Sequence, residues 1–466
     1  MNRSTHSNGS AAAERIRRHL LCHLVCLGRH TVTGLLGTAG RQFNDWTADY
    51  RLYSHNRVNI ENLFQPVRRA IFTKLSPSAP AVVALDDTRL RKTGRKTHGV
   101  AYTRDPMGPP FHVNFIRAQR FVQLSMALPT GDQGQARMIP VDLAHAPSPK
   151  KPPHQSTPEE RAQHRKLQRQ TSLAQTGANR IIRLRQDMDQ DGRFEKPLWT
   201  VVDGSYTNGT LLKRLPPRTE LIGRIRSDAK LYYLPESKDR KTGRKRVYGQ
   251  QAPTPEQVRR DSSTPWQEVK AFAAGKVHNF RVKTIAPLRW RSAGQHHDLR
   301  LIVIAPLAYR ISKNSRLCYR RPAFLICTKP EASLEQVLQA YLWRWDIEVN
   351  FRDEKSLLGV GEAQVRHINS VEAVPALAVA AYAALLIAAV ENFGASGIPD
   401  LLPLPKWRNQ KPKRATTQCL INHLRAELWS RTIHFSGFVN NSSSHAKPQK
   451  LPLPLSSALF YGARKK

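Results

Sequence analysis

The sequence predicts an α/β protein: a mixed sheet flanked by helices, with a β-rich insertion and a helical N-terminal region. Three observations lead there. Apolar runs at 81–85 and 198–202 have the length and bounds of buried strands, and each is followed at once by an aspartate. Helix start signals stand at Thr157–Glu160 and at Ser333–Gln336. Residues 226–320 mix short apolar runs with turns and dense positive charge, unlike the segments on either side.

Taken in order, residues 12–75 read as helical, because Ile16, Leu20, Leu21 and Val25 recur at helical spacing beside Arg15, Arg17 and Arg18, and a second apolar turn runs from Val32 to Leu36. A DNA-docking module and a helical cap with a solvated basic face both fit this pattern. Ala81–Leu85 is a strand bounded by Pro80 and by Asp86-Asp87; Phe111–Arg117 and Phe121–Leu128 are two more. Residues 146–156 form a Pro- and Lys-rich loop. Thr157-Pro158-Glu159-Glu160 then opens a helix expected to reach Met188, with a hydroxyl cap, proline in the first turn and Glu at the capping-box position. Strands follow at 198–202 and 220–225, then the strand-rich insertion, then a strand at 324–327. Ser333 with Gln336 caps one long helix whose apolar stripe is Leu334, Val337, Leu338, Tyr341, Leu342 and Trp345. Ala373–Val390 is eighteen residues without a charge, at the lower edge of a membrane span, but Ala-rich and carrying Pro375; a helix buried in the core is expected. The tail is Pro-, Lys- and Ser-rich with one helix near 417–430. The expected division is 1–75 (helical, DNA-binding), 76–225 and 321–395 (two parts of one core), 226–320 (basic insertion) and 396–466 (tail). Arg-Lys-Thr-Gly-Arg-Lys occurs at 91–96 and at 240–245, each copy read as a basic turn.

Composition narrows the function. Over 466 residues, 74 Lys and Arg face 35 Asp and Glu, a net charge of +39. A surplus that large repels itself unless a polyanion neutralises it, and phosphate contacts by Lys and Arg make nucleic acid the natural partner. The 40% hydrophobic content excludes wholesale disorder. Five scattered cysteines, Cys22, Cys26, Cys318, Cys327 and Cys419, exclude a disulfide framework and fit a reduced, cytoplasmic setting. Cys22 and Cys26 with His23 and His30 lack zinc-knuckle spacing and are expected to pack. Residues 1–14 hold no strongly apolar run, so no signal peptide is expected.

Acidic residues are scarce, so their placement informs. Asp86 and Asp203 each end a short buried strand, where a charge is costly unless it binds something and where ligands gather on open sheets. Glu348 lies on the helix capped by Ser333. Three such carboxylates can hold two Mg2+ or Mn2+ ions about 3.5–4 Å apart for phosphoryl transfer, and an all-oxygen donor set suits those ions rather than zinc. Tyr341, Arg344, Glu348 and Lys355 follow at steps of +3, +4 and +7, which at about 100° per residue form one stripe about 60° wide.

That segment, Tyr341-Leu-Trp-Arg344-Trp345-Asp-Ile-Glu348-Val-Asn-Phe-Arg-Asp-Glu-Lys355, resembles the Y-x2-R-x3-E-x6-K signature of bacterial insertion-sequence DDE transposases at all four positions. Leu85-Asp86-Asp87-Thr88, with Lys92, Gly94 and Gly99-Val100, resembles their first catalytic strand, and Val201-Val202-Asp203-Gly204-Ser205-Tyr206 their second; the resemblance covers roughly residues 30–395. It implies a ribonuclease-H-like core with a β-rich insertion between the second Asp and the Glu. It implies Asp86, Asp203 and Glu348 as ligands of two Mg2+ or Mn2+ ions, with Asp87 the alternative to Asp86. Tyr341, Arg344 and Lys355 would hold phosphates at the element's ends. Trp345 occupies the position of a residue that holds a flipped base in hairpin-forming relatives; from sequence it fits the core equally. The implied activity is cleavage at the terminal inverted repeats and joining of the freed 3′-hydroxyl to target DNA, by a homodimer on double-stranded DNA, in the bacterial cytoplasm and away from membranes. A ribonuclease-H-like nuclease without strand transfer and a catalytically decayed DNA-binding relative are the alternatives.

Overall fold

The computed structural model describes residues 4–105, 108–109, 111–131, 133–235, 246–291, 294–312, 314–394 and 414–429. The second Arg-Lys-Thr-Gly-Arg-Lys copy and most of the tail lie outside them. Five helices open the chain: α1 (Ser4–Val25), α2 (Val32–Thr38), α3 (Thr47–Ser54), α4 (Ile60–Leu63) and α5 (Gln65–Lys74). Then come β1 (Ala81–Arg91), β2 (Ala101–Arg104), β3 (Phe115–Pro129), β4 (Ala136–His145), α6 (Pro158–Gln170), α7 (Leu173–Gln190), β5 (Leu198–Val202), α8 (Gly209–Leu212) and β6 (Thr219–Arg224). The inserted segment contributes β7 (Leu231–Tyr233), α9 (Pro255–Arg260), β8 (Gln267–Ala273), β9 (Lys276–Trp290), β10 (Gly294–Ile304), β11 (Ala308–Tyr309) and β12 (Cys318–Tyr319). β13 (Ala323–Cys327), α10 (Leu334–Trp343), α11 (Asp346–Ser356), α12 (Ile368–Phe393) and α13 (Thr417–Trp429) close the described chain.

Among the described residues one mixed sheet of eleven strands runs β2-β3-β1-β5-β6-β13-β10-β9-β7, with β4 also on β3 and β8 also on β9. β4, β3 and β1 pair antiparallel, while β1, β5 and β6 run parallel. That five-strand order is the expected ribonuclease-H-like α/β core. β10, β9, β8 and β7 continue the same sheet through β13, which pairs antiparallel with β6, while β11 and β12 pair apart as a two-stranded sheet.

Burial explains why the two aspartate-tipped runs are strands. A strand covered on both faces reads as a continuous apolar run. Val83 and Leu85 of β1, with Leu198 and Val202 of β5, pack into one core with α5, α7 and α12. Val82 and Ala84, with Trp199 and Val201, pack into a second core under α10 and α11. α12 is the one described helix long and apolar enough to cross a membrane, and 83% of its apolar window is buried in the protein, where it packs on β4 and α1.

Five expectations change. The strand expected at 81–85 continues to Arg91 because β3 pairs with it along that length, so Asp86 lies inside β1 rather than at its end. The strands expected at 111–117 and 121–128 are one strand starting at Phe115, which trades β2 for β4 as partner along its length, with the polar Arg117, Gln119 and Arg120 inside it. β4 itself went unread, because Pro140 interrupts it; the proline sits opposite Ser125 at a register shift on an outer strand, where its missing N–H is tolerated. The helix expected from 157 to 188 is two: the capping box at Thr157 and Glu160 forms as expected, but Ser172 caps a new helix by accepting from the Gln175 backbone N–H. The long helix from Ser333 is also two, α10 and α11, broken at Arg344 and Trp345. At the far end of the sheet Gln339 of α10 meets β8, its Oε1 accepting from Phe272 N at 2.8 Å and its Nε2 donating to Phe272 O at 3.1 Å.

Candidate active site

Parallel pairing fixes the heart of the site. Leu85 is in register with Val202, so the next residues along come out side by side, Asp203 just past the end of β5 and Asp86 within β1. Alternation then sets their direction. Ala84 and Val201, two residues earlier, face the core beneath α10 and α11, so Asp86 and Asp203 emerge on that same face. Asp87 takes the opposite face, where the Tyr206 hydroxyl donates to its Oδ1 at 3.2 Å. Asp203 is held by its own turn: Oδ1 accepts from Ser205 N at 2.9 Å and Ser205 Oγ at 2.7 Å.

The third carboxylate arrives on α11, whose Ile347 and Phe351 pack into the core shared by Ala84 and Val201. The break before α11 is a tightening, not a bend away. Arg344 and Trp345 keep right-handed helical angles, but Trp345, Ile347 and Glu348 donate to carbonyls three residues back. Such i→i+3 turns within a helix often mark functional positions. The tightening removes Trp345 from the apolar stripe on which the sequence placed it; its side chain is 61% exposed. Arg344 turns inward and bridges two acids, donating to Asp86 Oδ2 at 3.3 Å and Glu348 Oε1 at 3.4 Å. Tyr341 packs half-buried against the second core. Lys355 is exposed at the far end of α11, within electrostatic reach of Glu354, Arg89, Arg91 and Asp87. The structure thus gathers Asp86, Asp203, Arg344 and Glu348, while Tyr341 and Lys355 flank them.

Electrostatics shows what the cluster lacks. Burial, and then the charge of Asp203, push the Asp86 carboxyl up to about 7 even with Arg344 beside it. Two carboxylates side by side on central strands want more positive charge than one guanidinium, itself shared between Asp86 and Glu348, supplies. Among the described residues no three His, Cys, Asp or Glu groups stand close enough to close round an ion as placed. The donor set still fits a hard divalent cation: oxygens only, two on neighbouring strands and a third on the half-exposed, rotatable side chain of Glu348.

Sequence reasoning missed the groups that hold α11. Glu354 is buried; its Oε1 accepts from Gln123 Nε2 at 2.9 Å, and Gln123 is the register partner of Asp86 on β3. Asn350 Nδ2 donates to Met138 O at 3.0 Å and Ser125 Oγ at 3.2 Å, and Thr417 of α13 donates to Asp353 Oδ2 at 2.6 Å. Lys92, quoted only as part of a motif, is buried and donates to Gly361 O at 2.8 Å and Ala363 O at 2.6 Å, tying the end of β1 to the loop after α11. The available signal was the rarity of acids: Asp353 and Glu354 stand together in a strongly basic chain.

Residues 9–296 match the sequence model of the family described as DDE superfamily endonuclease. The matched span contains Asp86 and Asp203 and ends before Arg344 and Glu348. Comparison with curated proteins gave no match.

Proposed function

From its membership of the DDE superfamily endonuclease family, which makes the chain an enzyme acting on DNA with divalent metal ions, we propose that it is a transposase that cleaves and rejoins the ends of an insertion sequence. The observation that carries this reading is the register of β1 with β5. It sets Asp86 beside Asp203 on the face that α11 covers with Glu348 and Arg344. Asp86, rather than Asp87, is the first ligand in this reading, because Asp87 points to the other face and is engaged by Tyr206. The three carboxylates would hold two Mg2+ or Mn2+ ions. Bound there, the ions supply activation of the attacking oxygen and neutralisation of the scissile phosphate.

The chain's own residues do the rest. The Ser205 turn keeps Asp203 in one orientation. Arg344, between Asp86 and Glu348, supplies a fixed cation at the phosphate, and Lys355 and Tyr341 extend the grip along the strand. Trp345, exposed beside them, offers a ring for a base drawn out of the stack. Joining two ends requires two copies on one DNA complex.

The test uses a supercoiled plasmid carrying the gene with its flanking DNA. With Mg2+ the wild-type protein should nick at the element ends and yield joined products; EDTA should stop both. Asp203→Ala and Glu348→Ala should lose cleavage yet still bind DNA, because the basic surface is intact. Cleavage by either variant at the wild-type rate refutes the site. Cleavage without joined products leaves a nuclease of the same fold.

A further inference from the structure

β2 and the first half of β3 form a two-stranded ribbon that runs on past the site. Arg104 pairs with Phe115 and Tyr102 with Arg117, so these four side chains share one face. Ala101, Thr103, Ile116 and Ala118 take the other face and are half-buried or buried. The first face is wet although two of its members are large rings: Tyr102 is 72% exposed and Phe115 61%. Arg117 lies over the Tyr102 ring at 5.7 Å and is steadied by the Thr93 and Gly94 carbonyls. Phe111 and Val113 prolong the exposed apolar stretch toward the hairpin tip.

Where the ribbon points follows from register. Asp86 is opposite Gln123 on β3, and Phe115 is eight residues further along that strand. An even separation keeps Phe115 and Arg117 on the sheet face of Asp86. At about 3.4 Å per residue the ring stands about 27 Å from Gln123, and Arg117 about 20 Å. A nucleic-acid strand leaving the site along the ribbon would cover that distance in about six to eight nucleotides at B-form rise.

We propose that this face is a platform for an unpaired stretch of the DNA strand about six to eight nucleotides from the scissile phosphate, its bases stacking on Tyr102 and Phe115 and its phosphates meeting Arg104 and Arg117. The inference rests on the chain acting on DNA. Rings alternating with arginines are what sequence-tolerant single-strand binding uses, since every base has a flat face and every link a charge. A second copy of the chain fits worse. Residues 89–120 hold eight Lys and Arg against one Asp, and a partner of net charge +39 would be repelled.

The experiment measures binding in EDTA, so that cleavage does not enter. The probe is a fluorescein-labelled 20-base-pair duplex with a 10-nucleotide single-stranded arm, beside the same duplex with blunt ends. Tyr102→Ala and Phe115→Ala, both at exposed positions, should each bind the armed probe about five- to 150-fold more weakly, the range of one lost base–ring stack, with the blunt probe little changed. Arg104→Gln should lower the salt dependence by about one phosphate. Equal affinity of wild type and ring variants for the armed probe overturns the platform. So does a ring variant that changes the sedimenting species while its DNA affinity stands, because the face then binds protein. Loss of plasmid cleavage in Asp203→Ala is read separately, so either reading can fail alone.

Discussion

Replacing Glu354 by glutamine should stabilise the protein, and the gain should depend on pH. Glu354 is buried on α11, and burial pushes its carboxyl up to about 8 despite the Gln123 hydrogen bond and the nearby Lys355. An unfolded glutamate titrates near 4.3. Between those values the folded protein keeps a proton that the unfolded chain has lost, so wild-type stability falls as pH rises from about 4.5 to about 8 and levels off above. About 3.7 units at about 1.4 kcal/mol each give an upper limit of about 5 kcal/mol. Glutamine never ionises, and its Oε1 can still accept from Gln123. Urea unfolding of wild type and Glu354→Gln at intervals from pH 5 to pH 9 measures the difference. The variant's advantage should be small at pH 5, grow through neutrality and be constant beyond about pH 8.5. Curves that stay parallel over the whole range would refute the view that α11 is seated on a protonated carboxyl. Because the same helix carries Glu348, the wild type should also lose DNA cleavage above pH 8 more steeply than the variant.

Trp345→Ala should cost less than about 1 kcal/mol, as at other exposed positions, rather than the ~3–5 kcal/mol of a lost core tryptophan; thermal unfolding decides, and a strand-resolved gel should show the first nick intact with the second-strand step impaired. Gly177→Val should destabilise by about 1–3 kcal/mol and reduce activity, since a Cβ at Gly177 would stand 2.8 Å from Leu85 Cδ2 and 3.2 Å from Tyr206 Cε1, wedging α7 off the strand that presents Asp86; an unchanged melting temperature contradicts this. Affinity for a random duplex should fall steeply between roughly 50 and 200 mM salt, and a flat dependence would contradict a basic DNA-binding surface.

What was legible in the chain was what burial writes locally. β5 and the apolar first half of β1 were plain because both their faces are covered, while the charged half from Asp86 to Arg91 did not read as strand; the caps at Thr157 and Ser333 were plain because a cap is a few-residue signal. What was illegible depended on partners. Pro140 hides β4 unless its place at an outer strand is known. Ser172, three residues before Gln175, carried the signal of a new helix but stood inside a pattern that kept its period. The turn at Arg344 and Trp345 leaves no mark in the sequence, since both residues stay helical; α10 is drawn chiefly to β8 and α11 to β4 and β1, over one shared core. The choice between Asp86 and Asp87 needed the register of β1 against β5, which no single strand contains. Asp86, Asp203 and Glu348 were singled out because the chain has so few acids.

Gln339 and Pro140 stand at opposite margins of the sheet. Gln339 offers its amide to Phe272 as a neighbouring strand would, occupying both backbone groups of that residue of β8. At the other margin Pro140 withholds an N–H from β4, and α12 lies against the same strand. An open margin invites other chains to add on, end over end, into aggregates. Here a side-chain amide occupies β8 at Phe272 and a proline interrupts β4, so each of those stretches offers a further strand fewer backbone groups to bond.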